Sequence, residues 1–422
     1  MSILQQLSSS FLSGLPIGIY SVCSAHPLVL EAAVRQAVVD RTPLLIEATS
    51  NQVNQFGGYT GMRPADFREF ALRIATAHGL PVERLILGGD HLGPNPWQHL
   101  PADDAMQHAQ NMVAEYSRAG FTKIHLDASM ACLGEQTPLP DSVVAERAAR
   151  LCRAAEEASG GQPRYYVIGT EVPVPGGATE SLAGLEVTTY AHAARTLQIH
   201  REIFFAAGLG DVWPRVIALV VQPGVEFNHD SVVDYDSSKT VPLRRLLRDD
   251  VGLVFEAHST DYQRPRAYKE LVSDGFPILK VGPALTFALR EVLFALQLIE
   301  NELVPAEKCS NLSGVVERQM LLHPAHWVKH YHGTSDRQRL LRRYSYSDRI
   351  RYYWTQPEIQ AAVNVLMSNL EGLAIPETLL SAEMPPEYLA VREGSLRATP
   401  HELIIHRIQQ AIRPYAAACI RN

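Results

Sequence analysis

Eight short apolar runs recur between Ile17 and Pro283, and each closes on polar residues. They span Ile17 to Ser24, Leu44 to Ser50, Leu85 to His91, Lys123 to Ser129, Tyr165 to Glu171, Arg215 to Gln222, Gly252 to Ser259 and Ile278 to Pro283. Helical periodicity fills several gaps, at Pro27 to Asp40, Ala65 to Gly79, Asp103 to Gly120, Val143 to Ser159 and Leu185 to Gly208. Apolar strands alternating with amphipathic helices specify a parallel sheet covered by helices, and eight such units favour closure into a TIM (β/α)8 barrel. The rival, an open doubly wound sheet, would carry a glycine-rich phosphate turn after an early strand. Gln55-Phe-Gly-Gly-Tyr-Thr-Gly61 lacks the GxGxxG spacing and reads equally as a mobile βα-loop over the site or as a direct ligand contact. Beyond Asn301 the alternation stops, so residues 1–300 are expected to form the barrel and residues 301–422 an α-helical C-terminal extension. Its run Arg349 to Trp354 is expected to pack on the barrel or on another subunit rather than stack on a sugar.

Composition excludes several functions. With 46% hydrophobic and 20% charged residues the chain can bury a large core, and its net charge, 38 minus 45 or −7, lacks the footprint of a nucleic-acid binder. No stretch reaches the length of a membrane span, and the first residues carry neither a basic region nor a cleavage site, so a cytoplasmic protein is expected. The five cysteines are scattered without a CxxC pair, which argues against a disulfide framework or a cysteine zinc site.

The carboxyl ends of the runs carry the chemistry. In a closed barrel these ends point into one pocket, and charges gathered there must be paired or metal-bound. Asp90 and His91 sit together in Leu85-Ile-Leu-Gly-Gly-Asp-His-Leu-Gly93, Glu171 closes strand five, and His258 lies between Glu256 and Asp261. His91, Glu171 and His258 are the expected metal ligands, a set that suits Zn²⁺ with an open position for a substrate oxygen. Asp90, Glu171 and Glu226 are the expected proton carriers, and Glu47, Asn51, Asp127, Ser259 and Lys280 the expected substrate contacts. Ordinary alternatives exist: Asp90 and His91 as a hydrogen-bonded pair at a helix start, Glu171 as a cap on the Pro/Gly loop after it, His125 as a strand-packing histidine. A metal chelating a hydroxy-ketone lowers the cost of an adjacent carbanion while a carboxylate moves the proton. Carbon–carbon cleavage and epimerisation both begin this way.

Cys23-Ser-Ala-His-Pro27, Gly88-Gly-Asp-His-Leu-Gly-Pro-Asn95, Lys123-Ile-His-Leu-Asp-Ala-Ser-Met130, Gly169-Thr-Glu-Val-Pro-Val-Pro-Gly-Gly177, Val221-Gln-Pro-Gly-Val-Glu-Phe227, Phe255-Glu-Ala-His-Ser-Thr-Asp-Tyr-Gln263 and Ser347-Asp-Arg-Ile-Arg-Tyr-Tyr-Trp354 resemble the GatZ/KbaZ family. These are the Z-type subunits of D-tagatose-1,6-bisphosphate aldolase, themselves similar to class II zinc-dependent aldolases. The resemblance implies that Asp90 is the acid/base, that His91 and His258 are zinc ligands, and that Glu171 matches a glutamate after strand five. It also implies a Y-type class II aldolase chain as partner, in galactitol or N-acetylgalactosamine breakdown, and a ketose or ketose-phosphate ligand. A homo-oligomer stays open. The chain departs from the aldolases at strand six, where Gln222 replaces a zinc-binding histidine, and after strand seven, where Ser259-Thr-Asp-Tyr262 replaces a glycine-rich phosphate loop. The alternative is a free-standing zinc-dependent ketose or ketose-phosphate epimerase or aldolase. Phosphoryl transfer fits worst, for lack of a Walker-type loop or a kinase signature set.

Overall fold

The computed structural model describes residues 2–169, 185–250 and 252–420. All eight expected strands form, as Ile19–Val22, Leu44–Thr49, Leu85–Asp90, Lys123–His125, Tyr165–Ile168, Val216–Val220, Val254–Ala257 and Ile278–Val281. Each pairs in parallel with its neighbour in this order, and the first closes on the eighth in the register Ile19↔Ile278 to Val22↔Val281. Strand four stops well short of Ser129. There Asp127 Oδ1 accepts from the Ser129 amide at 3.2 Å and turns the chain out of the sheet. Between strands six and seven lies a small antiparallel ribbon, Glu226–Phe227 against Val232–Val233.

The barrel interior is layered. At its amino end Leu45, Val167, Val220, Val254 and Ile278 cluster with Leu4 and Leu7 of the helix Ile3–Leu12, which therefore plugs the bottom with apolar contact. Nearer the carboxyl ends the inward positions turn polar: Ser21, Glu47, Lys123, His125, Glu256 and Lys280 are all buried. Among the described residues no helix is long and apolar enough to cross a membrane.

The extension continues the same core. Its last helix, Pro400–Cys419, lies against the helices Pro27–Asp40, Pro265–Ser273 and Pro283–Leu303. Leu403, Ile404, Ile408 and Ile412 join the buried cluster that contains Val29 and Leu30. The Tyr415 hydroxyl donates to the Thr260 carbonyl at 2.9 Å, and the Cys419 carbonyl accepts the Gly18 amide at the foot of strand one, at 3.1 Å. A boundary at residue 300 falls inside the helix Pro283–Leu303, so barrel and extension share an element.

Those four aliphatic side chains of the last helix contribute roughly 1.5–3 kcal/mol each by burial, together comparable to a whole domain's stability of about 5–15 kcal/mol. Deletion of residues 400–422 is therefore expected to abolish the cooperative thermal transition followed by circular dichroism. A truncated chain that melts cooperatively at the parent temperature would contradict this packing.

Candidate active site at the barrel mouth

The polar layer opens on a cavity of about 200 Å³ at the carboxyl ends of the strands. Its floor depends on a small residue. A Cβ on Gly88 would lie 2.3 Å from Glu47 Oε1, so glycine in strand three is what lets the Glu47 side chain enter the barrel centre. Glu47 accepts from Ser21 Oγ at 2.7 Å, from Lys123 Nζ at 2.7 Å and from Lys280. Lys123 also pairs with Glu256 Oε2 at 2.7 Å, and Lys280 Nζ lies 2.8 Å from Asp90 Oδ1. Burial pulls the Lys280 ammonium toward neutrality, but Asp90, Cys23, Glu47 and Glu256 outweigh it and hold its pKa well above the usual lysine value. Its ammonium is thus engaged by carboxylates rather than standing as the neutral amine of a Schiff-base lysine.

Three imidazoles gather above this floor. The ring centroids of His91, His125 and His258 are 4.8 to 5.2 Å apart. His258 Nε2 lies 2.9 Å from Glu256 Oε1, and since a carboxylate only accepts, Nε2 carries the hydrogen and Nδ1 the lone pair. His125 Nε2 likewise donates to the Gly169 carbonyl at 2.9 Å, and its Nδ1 accepts the His91 amide at 3.3 Å, 3.2 Å from Asp90 Oδ1. His91 Nδ1 faces Asp90 Oδ1 at 3.0 Å, and its Nε2 is buried with no partner among the described residues. Burial would raise the Asp90 pKa, but His91 and Lys280 bring it well below the usual carboxylate range, so Asp90 stands ionised.

One ligand atom each from Asp90, His125, Glu256 and His258 lies within 4.8 Å of the others, the spacing a single cation bridges. Glu256 is already committed to Lys123 and His258, and so acts as the carboxylate that fixes the His258 tautomer. His91 stands beside this set rather than in it. Asp90, His125 and His258, backed by Glu256, offer the carboxylate and imidazole atoms that a zinc-like ion takes, and in kind and spacing this set fits one.

Of the residues expected from the sequence, Asp90, His91, Asn51, His258, Ser259 and Lys280 line the cavity. Glu47 lies beneath it. Asp127 Oδ1 is occupied by Ser129, and Glu226 is buried in the ribbon with Oε1 accepting the Phe227 amide at 2.9 Å; neither is in the cavity wall. Glu171 lies outside the described residues. Gln222 is no stand-in ligand: its Oε1 accepts the Gly224 and Val225 amides at 2.8 and 3.0 Å and shapes the turn after strand six. Sequence reasoning passed over His125 as strand packing, although Lys123 and His125 share one face of the strand, as Glu256 and His258 do in strand seven. It also placed Arg349 to Trp354 away from any ligand, whereas Arg351 and Tyr352 line the mouth beside Tyr59.

Past strand seven, Asp261 accepts the amides of Gly282 and Ala284 at 3.1 and 2.8 Å, at the start of the helix Pro283–Leu303. Burial pushes its carboxyl up to about 6 despite these two bonds, which work to lower it.

A closed (β/α)8 barrel with a buried histidine, carboxylate and lysine cluster at its carboxyl face has the architecture and the site position of a barrel enzyme. The chain matches the family model of GatZ/KbaZ-like D-tagatose-1,6-bisphosphate aldolase subunits over residues 4–420, and it belongs to that family. A probable tagatose 6 phosphate kinase from Sinorhizobium meliloti 1021 has a crystal structure similar to this one at TM-score 0.88 and 50% identity, covering 95% of this chain and 100% of that one. The YdjI aldolase from Escherichia coli K12 aligns at 13% identity over 72% of this chain and 88% of its own, and its TM-score of 0.44 is too low to bear on function.

Two outcomes are expected. Removing one member of a buried ion pair typically costs about 3–5 kcal/mol, because the partner charge is left uncompensated. Lys123→Met should destabilise by that amount in urea unfolding, and a loss under about 1 kcal/mol would show that the pairs are not the floor's support. Asp261 works in the opposite direction. Its raised pKa means that the folded chain holds this proton more tightly, so the stabilisation is full below the ordinary value of 3.8 and is lost as pH rises through about 6. Relative to Asp261→Asn, the parent should gain about 1.4 kcal/mol between pH 7.5 and pH 5; a flat difference across that window would refute the shift.

Proposed function

We propose that this barrel performs its own chemistry on a ketose or ketose phosphate, by proton transfer next to a metal-polarised carbonyl, in a carbon–carbon cleavage or an epimerisation. The reading is carried by the three imidazoles gathered around an ionised, buried carboxylate. Burying such groups costs several kcal/mol, and a chain serving only as a scaffold would be as stable with apolar packing there.

Zn²⁺ is the ion that the imidazole-rich donor set favours. His125 and His258, beside Asp90, would hold it, and His91 and Glu171 remain proposed further ligands. The chemistry such an ion supplies when bound is Lewis-acid polarisation of the ketose carbonyl. Asp90 takes the proton, with Lys280 and His91 holding its carboxylate in place, and Glu171 is the proposed group for its return; Glu226, expected to share that role, is held in the ribbon. Ser259 Oγ, buried without a partner among the described residues, and Asn51 offer hydrogen bonds to substrate hydroxyls. The protein would work in the cytoplasm.

A second reading has a specific observation behind it. The family is one of aldolase subunits, and Gln222 stands where the resemblance implies a zinc-binding histidine. In that reading the chain supports the activity and stability of a Y-type catalytic subunit in galactitol or N-acetylgalactosamine catabolism. Phosphoryl transfer, the activity in the name of the Sinorhizobium meliloti relative, draws no support from the residues at the mouth.

The test is turnover of ketohexoses and their phosphates by the isolated, zinc-loaded chain. Asp90→Asn should lower the rate about a hundredfold or more, the scale of general acid/base catalysis, and His91→Ala and His258→Ala should lower zinc content. An inactive parent, whose Asp90→Asn variant still stimulates a Y-type aldolase fully, would establish the supporting role instead.

A further inference from the structure

Arg351 belongs to the short turn Arg349–Tyr352 of the C-terminal extension, yet its side chain lines the same cavity as Asp90 and His258. The turn is tied to the barrel by Asp348, whose Oδ2 accepts from Thr286 Oγ1 at 2.5 Å in the first turn of the helix after strand eight. Nη1 of Arg351 donates to the carbonyls of Ser347 and Asp348, and Nη2 to the Tyr352 hydroxyl at 3.0 Å. A guanidinium has five N–H donors, so Nε–H and one Nη2–H remain. Among the described residues no carboxylate forms an ion pair with it. Asp261 and Asp348 act on it only from beyond contact distance, and an enclosed cation with two donors still to give is the arrangement that binds a carboxylate or phosphate.

The other cationic positions at this mouth are taken. Barrels commonly hold a phosphate at a helix start near strands seven and eight. Here the amides of Gly282 and Ala284, at the start of the helix after strand eight, already bind the carboxylate of Asp261. Lys280 is committed to Glu47 and Asp90. Arg351 also forms part of the wall of an adjoining cavity of about 330 Å³, which gives a ligand longer than the first cavity somewhere to extend.

We propose that Arg351 recognises an anionic group, a phosphate ester or a carboxylate, at the end of the ketose remote from the reacting carbons. The C-terminal extension then sets the charge of the substrate. This rests on the reading that the cavity binds a ketose.

The experiment is equilibrium titration calorimetry of the full chain with D-fructose, D-fructose 6-phosphate and D-fructuronate. The parent and Asp90→Asn should bind an anionic ketose at least about tenfold more tightly than fructose, the scale of a charge-assisted hydrogen bond, and the two anionic arms show whether phosphate or carboxylate is preferred. Arg351→Met should erase that preference without weakening fructose, and Arg351→Lys, which keeps the charge but not the planar fork, should retain part of it. Ketose binding by the parent without preference overturns the inference, as does a preference that survives in Arg351→Met or a loss equal for all three sugars. If Arg351→Met does not fold, Arg351→Lys decides, and an unchanged preference there overturns it. Because the readout is binding, a parent without turnover refutes the proposed chemistry and leaves this result standing. A parent that binds none of the three overturns both.

Discussion

The interaction on which the rest depends is the buried pairing of Lys123 with Glu47 and Glu256. Three strands, four, two and seven, each contribute one charged side chain to a point with no access to water, and each charge is tolerable only because the others are present. The pairing fixes which residues face inward along those strands. Once Lys123 and Glu256 point into the barrel, the two-residue repeat of a strand obliges His125 and His258 to point in as well, one layer higher. Two of the three imidazoles are thus a consequence of the charged layer beneath them, while His91 follows Asp90 just past the end of strand three. Gly88 belongs to the same logic, since the space it leaves is where the Glu47 carboxylate sits.

How much of this was legible in the sequence follows from the range of the forces involved. The barrel could be read because alternation of apolar strands and amphipathic helices is local, and the cavity residues Asp90, His91, His258, Ser259 and Lys280 could be read because strand ends in a closed barrel converge whatever their neighbours are. His125 is the buried strand histidine expected, and what the sequence does not show is the carboxylate it meets, because Asp90 comes from another strand. Arg351 was beyond sequence reasoning altogether. Its place at the mouth is set by the Asp348 to Thr286 hydrogen bond, between residues 62 positions apart, and by the docking of an extension whose path no periodicity predicts. Asp127 and Glu226 show the converse: both sit near carboxyl ends, but a local turn and a short ribbon occupy their oxygens first.

The exchange of a strand-six histidine for Gln222 has a physical reading once His125 is in view. Gln222 serves the backbone of its own loop, and in this barrel the third imidazole stands on strand four, where its Nε2 is anchored by the Gly169 carbonyl of strand five's end. With Asp261 filling the start of the helix after strand eight and Lys280 paired with Glu47 and Asp90, Arg351 of the extension is the cation in this cavity wall that, among the described residues, has no carboxylate at ion-pair distance.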